Sequence, residues 1–318
     1  MDSEKDPMPH PTYDILTIGD MCVDLLVDLG DALPRFGQAE QWVSGYCLEM
    51  GGSACIFACQ AARLGLRVAV LGRVGADAFG ELALRRLREC GVDTRFIAVE
   101  ARLQTGLGVA LCRQAGDRAI LTCGDSLNAV WPADVTDDFL QSGRHLHYAS
   151  YYLQTNLLPA AAAICSRAKA LGLTVSLDAN WDPTGSWDGG LRAALAHADL
   201  FFQNEQEALA ISAAADLDAA LDALVALGPV VVAKRGAAGA VVAAGHERLN
   251  VAVEPVAQPV DTVGAGDSFA AGFVAGWLRG LALAECAAIG NACGRAATLA
   301  RGGLAGQQIG RASCRERV

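Results

Sequence analysis

Short apolar runs alternate along the chain with segments whose apolar residues recur at helical spacing. The runs in "YDILTIG", "RVAVLG", "LTVSLD", "ADLFFQ" and "PVVVAK" lie between amphipathic segments such as "ELALRRLREC" and "LDALVALG". Short apolar runs bounded by turn residues are typical of buried strands, and glycine often follows the end of a helix. The alternation therefore predicts βαβ units, with a largely parallel sheet that is covered by helices on both faces.

Two stretches, residues 33–49 and 96–124, depart from this rhythm because polar and apolar residues alternate in them. Such alternation is typical of strands with one exposed face, and "QAGDR" between two alternating runs indicates a hairpin. These stretches predict a small antiparallel β lid inserted in an α/β core that spans residues 13–306. The exposed edge of such a lid could pair with a second copy, so a homodimer through the lid is expected. Residues 1–12 and 307–318 lack periodicity and are expected to be flexible tails.

Composition narrows the class of protein. The 318 residues are 53% hydrophobic, which is enough for one large α/β domain. The net charge of −10 and the absence of a basic stripe disfavour nucleic-acid binding. No apolar run reaches the roughly 20 residues that span a bilayer, and no secretory signal is visible. The 11 cysteines form no CxxC pairs, so reduced thiols and a cytoplasmic location are expected.

The stretch "PVDTVGAGDSFAAGFVAGWL" carries the strongest chemical signal. Gly264, Ala265 and Gly266 have almost no side chains, and helical periodicity begins directly after them. The amide groups of a helix start have no partners within the helix and attract anions. The sequence therefore predicts an anion site at this turn, with the carboxylate of Asp267 beside it.

"DTVGAGDSF" closely resembles the C-terminal signature of the ribokinase-like (PfkB) carbohydrate kinases. "GGSACIFACQAARLG" with "GRVGADAFG" resembles the N-terminal signature of that family, and "NEQEA", "KRGAAGAVV" and "GNACGRAA" follow in the family's order. The resemblance spans about residues 13–306. It implies a three-layer α/β/α core with a β lid, and ATP-dependent transfer of the γ-phosphoryl group to a hydroxyl of a small sugar.

The resemblance implies that Asp267 is the general base that takes the proton of the acceptor hydroxyl. The amides of Gly264, Ala265 and Gly266 would hold the transferring phosphoryl oxygens as their charge grows. The alternatives are a plain helix cap for Asp267 and a plain tight turn for the three small residues.

Metal-binding roles also follow from the resemblance. Asn204 and Glu207 match a family motif that organises Mg²⁺ near the phosphates, and Mg²⁺ needs few protein ligands. The same two residues form a capping-box pattern, and both interpretations can hold together. Asp261 and the carbonyl of Val263 resemble the ligands of a monovalent cation, so K⁺ is a further expected cofactor.

ATP is implied to lie against the turn "AKRGAAGA". Gly236 and Gly239 would let the backbone approach the nucleotide, and Asn291 matches a position near the adenine. Lys234 stands where ribokinases usually have Thr. It either reaches phosphate as a point charge or is a solvated strand end.

The acceptor is implied to contact Asp24, Gly51 and Gly52, because a carboxylate binds two sugar hydroxyls well and glycines allow close approach. Gln154 follows a core strand where the family often has a substrate contact. The alternative is that Asp24 ends a strand and that the glycine pair merely begins a helix.

The acceptor itself stays open. Cys22 and Ile56 stand where ribokinases carry Asn, which makes the pocket more apolar than a ribose site. This change, with the tyrosine pair 151–152, allows a nucleoside kinase as an alternative; a non-catalytic sugar- or nucleotide-binding homologue is another. No Arg/Lys cluster accompanies the acceptor residues, which disfavours a phosphorylated acceptor unless Arg73 or Arg113 approaches on the lid.

Two further pairs have period-two spacing on strands. Asp178 and Asn180 come at the C-terminal end of a strand, where α/β sheets bind ligands, and they point to phosphate, metal or a polar loop. His145 and His147 share a strand face without a third ligand nearby, which favours buried core histidines over a metal site.

Overall fold

The computed structural model describes residues 11–113 and 118–308. Within them the strands are β1 (Ile15–Ile18), β2 (Cys22–Gly30), β3 (Gly45–Gly51), β4 (Val68–Gly75), β5 (Ile97–Glu100), β6 (Gly106–Arg113), β7 (Arg118–Cys123), β8 (His145–Tyr148), β9 (Thr174–Asp178), β10 (Leu200–Asn204), β11 (Val230–Lys234), β12 (Ala240–Ala244) and β13 (Glu247–Val251). The helices are α1 (Ser53–Arg63), α2 (Ala78–Glu89), α3 (Asp137–Gln141), α4 (Ala161–Ala170), α5 (Leu191–Leu195), α6 (Glu205–Ser212), α7 (Leu217–Val225), α8 (Ala265–Trp277), α9 (Leu283–Ala297) and α10 (Gly302–Ala305).

The larger sheet has the strand order β13-β12-β11-β10-β9-β8-β1-β4-β5. Pairing is parallel from β11 to β5, and β12 and β13 add an antiparallel edge. One apolar cluster packs α3 to α7 on one face of this sheet, and a second packs α1, α2, α8 and α9 on the other. Within β1, Leu16 and Ile18 join the first cluster while Ile15 joins the second, because side chains alternate along a strand. The predicted three-layer α/β/α core is confirmed.

A smaller sheet, the lid, has the order β3-β2-β6-β7. Its two outer pairs are antiparallel, and its central pair, β2 with β6, is parallel. The predicted hairpin joins β6 and β7, but residues 114–117 of its turn lie outside the described residues.

The predicted lid boundaries of 33–49 and 96–124 need correction. The lid also takes β2, whereas residues 31–44 contain no strand and β5 pairs with β4 in the larger sheet. β2 begins with two buried apolar residues like a core strand, and β5 is an edge strand with two exposed central residues like a lid strand. Their local patterns therefore do not show which sheet each joins.

The C-terminal tail begins later than predicted. The Gln307 side chain is buried and donates a 2.8 Å hydrogen bond to the carbonyl of Ile56. Gln308 exchanges hydrogen bonds with the side chain of Gln60. The core thus extends to residue 308, and residues 1–10 and 309–318 lie outside the description. In the described part of the chain, no helix is long and apolar enough to cross a membrane.

Candidate active site

The glycine-rich turn lies at the start of α8, as predicted. Gly264 precedes the helix in the left-handed conformation, with φ of 71°. A Cβ added there would lie 2.9 Å from Gly303 Cα and 2.9 Å from the Ile56 side chain, so only glycine fits. Asp267 occupies the first turn of α8, where a carboxylate interacts favourably with the helix dipole.

Three neighbouring parallel strands present polar side chains beside this helix start. Asp178 on β9 is in register with Phe202 on β10, and Asn204 on β10 is in register with Lys234 on β11. Registered residues and residues two apart share a face of the sheet. Phe202 also contacts Phe273 of α8 at 5.5 Å between ring centroids. The three polar side chains therefore point to the face that α8 covers.

Opposite charges meet at this point. Lys234 Nζ donates a 2.7 Å hydrogen bond to Asp178 Oδ2, and the lysine side chain is only 17% exposed. It is therefore not a solvated strand end. Burial by itself would lower the pKa of Lys234, but the charge of Asp178 raises it, so the lysine stays protonated.

The pKa of Asp267 is raised to about 7. The main cause is burial, and the negative charge of Asp178 adds to it, whereas Lys234 and a hydrogen bond from Ser53 oppose the shift. A carboxyl with a pKa near neutrality can both accept and release a proton under physiological conditions.

Asn204 and Glu207 form the predicted capping box. The Asn204 side chain accepts a 2.9 Å bond from the Glu207 amide, and Glu207 Oε2 accepts a 2.8 Å bond from the Asn204 amide. Glu207 is buried, and burial raises its pKa while Lys234 opposes the shift. Across the described residues, no group of three or more His, Cys, Asp or Glu could hold a metal ion. One buried carboxylate beside a cavity nevertheless fits Mg²⁺, which phosphate oxygens and water largely hold.

Two adjoining cavities open beside α8. The apolar cavity has a volume of about 320 Å³, and the polar cavity of about 430 Å³. Both are lined by Lys234, Gly236 and Gly266, so these residues form the wall at which the two cavities meet. The predicted site residues that line only the apolar cavity are Gly239, Ala265 and Asn291. Those that line only the polar cavity are Asp24, Gly52, Asn204, Glu207, Val263, Gly264 and Asp267.

The apolar cavity is closed on one side by α9 and by residues 253–259, which follow β13. The Asn291 side-chain amide donates to the carbonyls of Val251, at 2.9 Å, and Ala252, at 3.3 Å. A Cβ at Gly239 would lie 2.1 Å from the Val251 carbonyl oxygen, so this glycine is required by strand packing. Gly236, with φ of 56°, has open space where its Cβ would be, so a ligand can approach its backbone.

Asp24 lies in a cleft that two glycines leave for it. A Cβ at Gly51 would lie 2.3 Å from the Asp24 carboxyl carbon, and a Cβ at Gly108 would lie 2.6 Å from Asp24 Oδ1. Burial and the nearby Asp20 raise the pKa of Asp24 to about 6. Gly52 lines the polar cavity but Gly51 does not, so Gly51 contributes by making room for the carboxylate.

A buried polar network beside Asp267 joins Asn180, which the sequence indicated, to Asp20, Ser53 and Ser150, which it did not. Ser150 Oγ donates to Asp20 Oδ1 at 2.7 Å, and Asn180 Nδ2 donates to Ser150 Oγ at 3.1 Å and to Ser53 Oγ at 3.4 Å. Ser150 and Asn180 have positive φ values of 50° and 58°. Asp20, Ser53 and Asn180 line the polar cavity. The position of Asp20, two residues after the end of β1 and at the carboxyl edge of the sheet, was the available signal.

Several predicted contacts are not at the cavities. Ser150 turns the chain so that Leu153 lines the polar cavity, while Gln154 is 1% exposed and lines neither cavity. Gln154 is therefore removed from the predicted acceptor contacts. Tyr151 and Tyr152 are buried in the core, where their hydroxyls donate to the carbonyls of Gly189 and Trp187.

The predicted K⁺ ligands lie in a loop that is held by hydrogen bonds. Asp261 Oδ1 accepts from the Val263 amide at 3.0 Å, and Oδ2 accepts from the Gly302 amide at 2.9 Å. Asp261 lines neither cavity. K⁺ binding stays a prediction.

The polar cavity does contain a lid cation. Arg118, at the start of β7, is one of its lining residues. Arg73, which sequence reasoning considered, is bonded instead to Glu100 and Asp134. The sequence predicted no Arg/Lys cluster beside the acceptor residues unless Arg73 or Arg113 approached on the lid, and the structure places Arg118 of the lid there instead.

Residues 13–308 match the model of the pfkB family carbohydrate kinases. An ATP-dependent ribose-1-phosphate kinase from Halopiger xanaduensis is 34% identical over 252 residues, which cover 77% of this chain and 78% of that protein. The structure of adenosine kinase from Sinorhizobium meliloti aligns with a TM-score of 0.80 at 26% identity, over 92% of this chain and 95% of that one. Arabidopsis thaliana ribokinase complexed with ribose and ATP aligns with a TM-score of 0.80 over 94% of this chain and 96% of that one; at 21% identity it shows a shared fold alone.

Proposed function

Because the chain belongs to the pfkB family of carbohydrate kinases, we propose that it transfers the γ-phosphoryl group of ATP to a hydroxyl of a small sugar, with Asp267 as the general base. One observation carries the assignment of roles. The apolar and polar cavities meet at Lys234, Gly236 and Gly266, and Asp267 lies next to that wall on the polar side. ATP in the apolar cavity would place its terminal phosphate at the shared wall, where an acceptor in the polar cavity meets it.

The amides of Gly264, Ala265 and Gly266 act at the phosphoryl group. They lie at the start of α8, where the positive end of the helix dipole favours the charge that grows on the equatorial oxygens. The Ala265 amide has a long bond of 3.3 Å to the Thr262 carbonyl, which a charged phosphoryl oxygen would replace. Lys234 adds a fixed positive charge at the same wall.

The acceptor hydroxyl gives its proton to Asp267 as its oxygen bonds to phosphorus and the bond to the leaving ADP breaks. Asp24 accepts hydrogen bonds from other hydroxyls of the acceptor and so orients it. Glu207 and Asn204 would hold Mg²⁺ through water, and the bound ion would neutralise charge on the phosphates.

An Asp267→Asn variant tests the base. It keeps the shape and the helix start but cannot take a proton, so turnover should fall at least about 10²-fold while ATP binding is retained. ADP release would be measured with Mg²⁺, with and without K⁺, against ribose, fructose, 2-keto-3-deoxygluconate, adenosine and inosine. ATP binding would be followed by calorimetry.

Asp138→Asn, at an exposed position of α3, is the matched control and should leave both measurements unchanged. Near-normal turnover of Asp267→Asn would refute the base assignment. ATP binding without turnover of any acceptor by the unaltered protein would instead favour a non-catalytic sugar- or nucleotide-binding homologue.

A nucleoside is the second candidate acceptor. Leu26, Ala110 and Ile120 line the polar cavity from the lid, and such a surface could pack against a base. The structural relative named adenosine kinase is consistent with this candidate. The adenosine and inosine reactions in the same substrate panel distinguish it from a sugar kinase.

A further inference from the structure

The lid presents a graded surface to the polar cavity. Its strands pair so that side chains from β2, β6 and β7 form rows across the sheet, and alternate rows face the cavity. Going outward from the core, the chemistry of these rows changes from polar to apolar to cationic. The larger cavity-facing side chains are, in that order, Asp24 with Thr122, then Leu26 with Ile120, then Arg118.

Among the described residues, the acidic neighbours hold the cation of the outer row only loosely. Arg118 Nη1 lies 3.9 Å from Asp261 Oδ1, too far for a hydrogen bond, and the arginine side chain is 32% exposed. Both Asp261 oxygens already accept backbone amides. Asp28, in the same row as Arg118, is paired with Arg301. The guanidinium therefore retains capacity for an anion.

We propose that Arg118 binds an anionic substituent of the acceptor, so that the preferred substrate is a sugar carrying a phosphate or carboxylate away from the hydroxyl that is phosphorylated. This inference rests on the proposed kinase function and specifies its substrate class. A guanidinium binds either group with two parallel hydrogen bonds. The apolar row of Leu26 and Ile120 would lie beside the carbon skeleton between the two ends.

The acidic groups of the cavity do not oppose this arrangement, because they lie at its inner end. Asp178 is paired with Lys234 there, and Asp267 lines the cavity beside the wall where the phosphoryl group would lie. Asp24 lies in the cavity-facing row on the core side of the apolar row. The positive charge of Arg118 lowers the pKa of Asp24, although burial raises it by more. The hydroxyls of the acceptor would thus lie beside the carboxylates at the inner end of the cavity, and its anionic group would lie beside Arg118.

Replacing Arg118 by glutamine tests the proposal. The charge is lost but the length and polarity of the side chain are largely kept. A hydrogen bond to a charged group contributes roughly 1.5–3 kcal/mol, so kcat/KM for an anionic acceptor should fall about 10- to 100-fold. For ribose and adenosine it should change less than about threefold. Arg118→Lys should restore part of the loss, and Arg95→Gln, at an exposed arginine outside the cavity, is the matched control.

Ribose 1-phosphate and 2-keto-3-deoxygluconate are the two anionic probes, and they distinguish phosphate from carboxylate recognition. The unaltered protein should prefer one of them to ribose and adenosine. An equal fall for charged and neutral acceptors, or a preference for neutral acceptors that Arg118→Gln leaves intact, would overturn the proposal.

A binding measurement separates this inference from the kinase function. Ribose 1-phosphate or 2-keto-3-deoxygluconate should raise the melting temperature more than ribose does, and Arg118→Gln should abolish the difference. If no acceptor is phosphorylated, the kinase proposal fails and this comparison alone decides the role of Arg118. Equal shifts for charged and neutral sugars would then refute it.

Discussion

The carboxyl group of Asp267 lies among charges of both signs, and these set the pH at which it can take a proton. Its pKa of about 7 means that roughly half of the molecules would hold the base in its protonated form at neutral pH. A protonated base cannot accept the acceptor's proton. We therefore expect kcat/KM to fall about tenfold for each pH unit below about 7 and to level off above it.

Ser53 tunes that midpoint. Its hydrogen bond to Asp267 lowers the pKa of the carboxyl, and the Asn180 amide holds its hydroxyl from the other side. Ser53→Ala removes a bond that stabilises the charged form, so the midpoint of the kcat/KM profile should move to higher pH by up to about one unit.

The measurement is kcat/KM against pH for the unaltered protein and for both Ser53→Ala and Ser53→Thr, since threonine keeps the hydroxyl. A midpoint that stays in place in the alanine variant, or moves to lower pH, would contradict the role given to Ser53. A fall in activity without any shift would point to packing alone.

At the scale of one element, the start of α8 contains two glycines with different requirements. Gly264 has a positive φ, and a side chain there would meet backbone and the Ile56 side chain. Gly266 has no positive φ, and its added Cβ would lie 3.4 Å from the flexible end of Lys234. The first glycine is needed for the fold, whereas the second leaves room at the wall between the cavities.

We expect Gly264→Ala to reduce the free energy of unfolding by about 1–3 kcal/mol, through backbone strain and crowding. The Gly266→Ala variant should have nearly the same melting temperature as the unaltered protein. It should lose activity, because the added methyl group takes up space where the two cavities meet. Melting curves and turnover of the two variants, made side by side, check this. Equal destabilisation of both would show that the helix start tolerates no Cβ for reasons of packing alone.

At the scale of the whole molecule, a buried histidine pair makes stability depend on pH. His145 bonds to Thr174 and Ser176 at 2.7 Å, and His147 shares the Ser176 hydroxyl and stacks on Phe57 at 3.7 Å. Burial lowers the pKa of His145 to about 3, helped by Lys169, and lowers that of His147 as well. These are the core histidines that the sequence favoured over a metal site.

Both histidines are neutral when folded and would take protons when unfolded below a pH of about 6.5. Each should therefore cost on the order of 1 kcal/mol of stability for every pH unit below that value. The raised pKa values of Asp24 and Asp267 have the opposite effect, because these two carboxyls bind protons more readily in the folded protein and so add stability as the pH falls.

The free energy of unfolding, measured with urea between about pH 8 and pH 5, should therefore fall less steeply toward acid pH in His147→Gln than in the unaltered protein. Identical slopes, with His197→Gln as control, would rule out this contribution.

Local chemistry predicted much of the molecule. The alternation of apolar runs with amphipathic segments predicted the layered core, because strand and helix periods are properties of neighbouring residues. The helix start at 264–267 and the capping box of Asn204 and Glu207 were predicted for the same reason, since each lies within one turn of chain. The dimer through the lid stays a prediction.

What the tertiary structure decided depends on which distant segments meet. Lys234 could be a phosphate contact or a solvated strand end by its sequence, and its pairing with Asp178 of β9, two strands away, excludes the solvated strand end. Gln154 was predicted to contact the acceptor, but its side chain is buried after the turn at Ser150. Arg118 gave no signal, because its row position depends on pairing across three lid strands. Sequence by itself determined the elements and the chemistry at their ends; pairing and burial, which join residues far apart in the chain, decided which of those ends share a cavity.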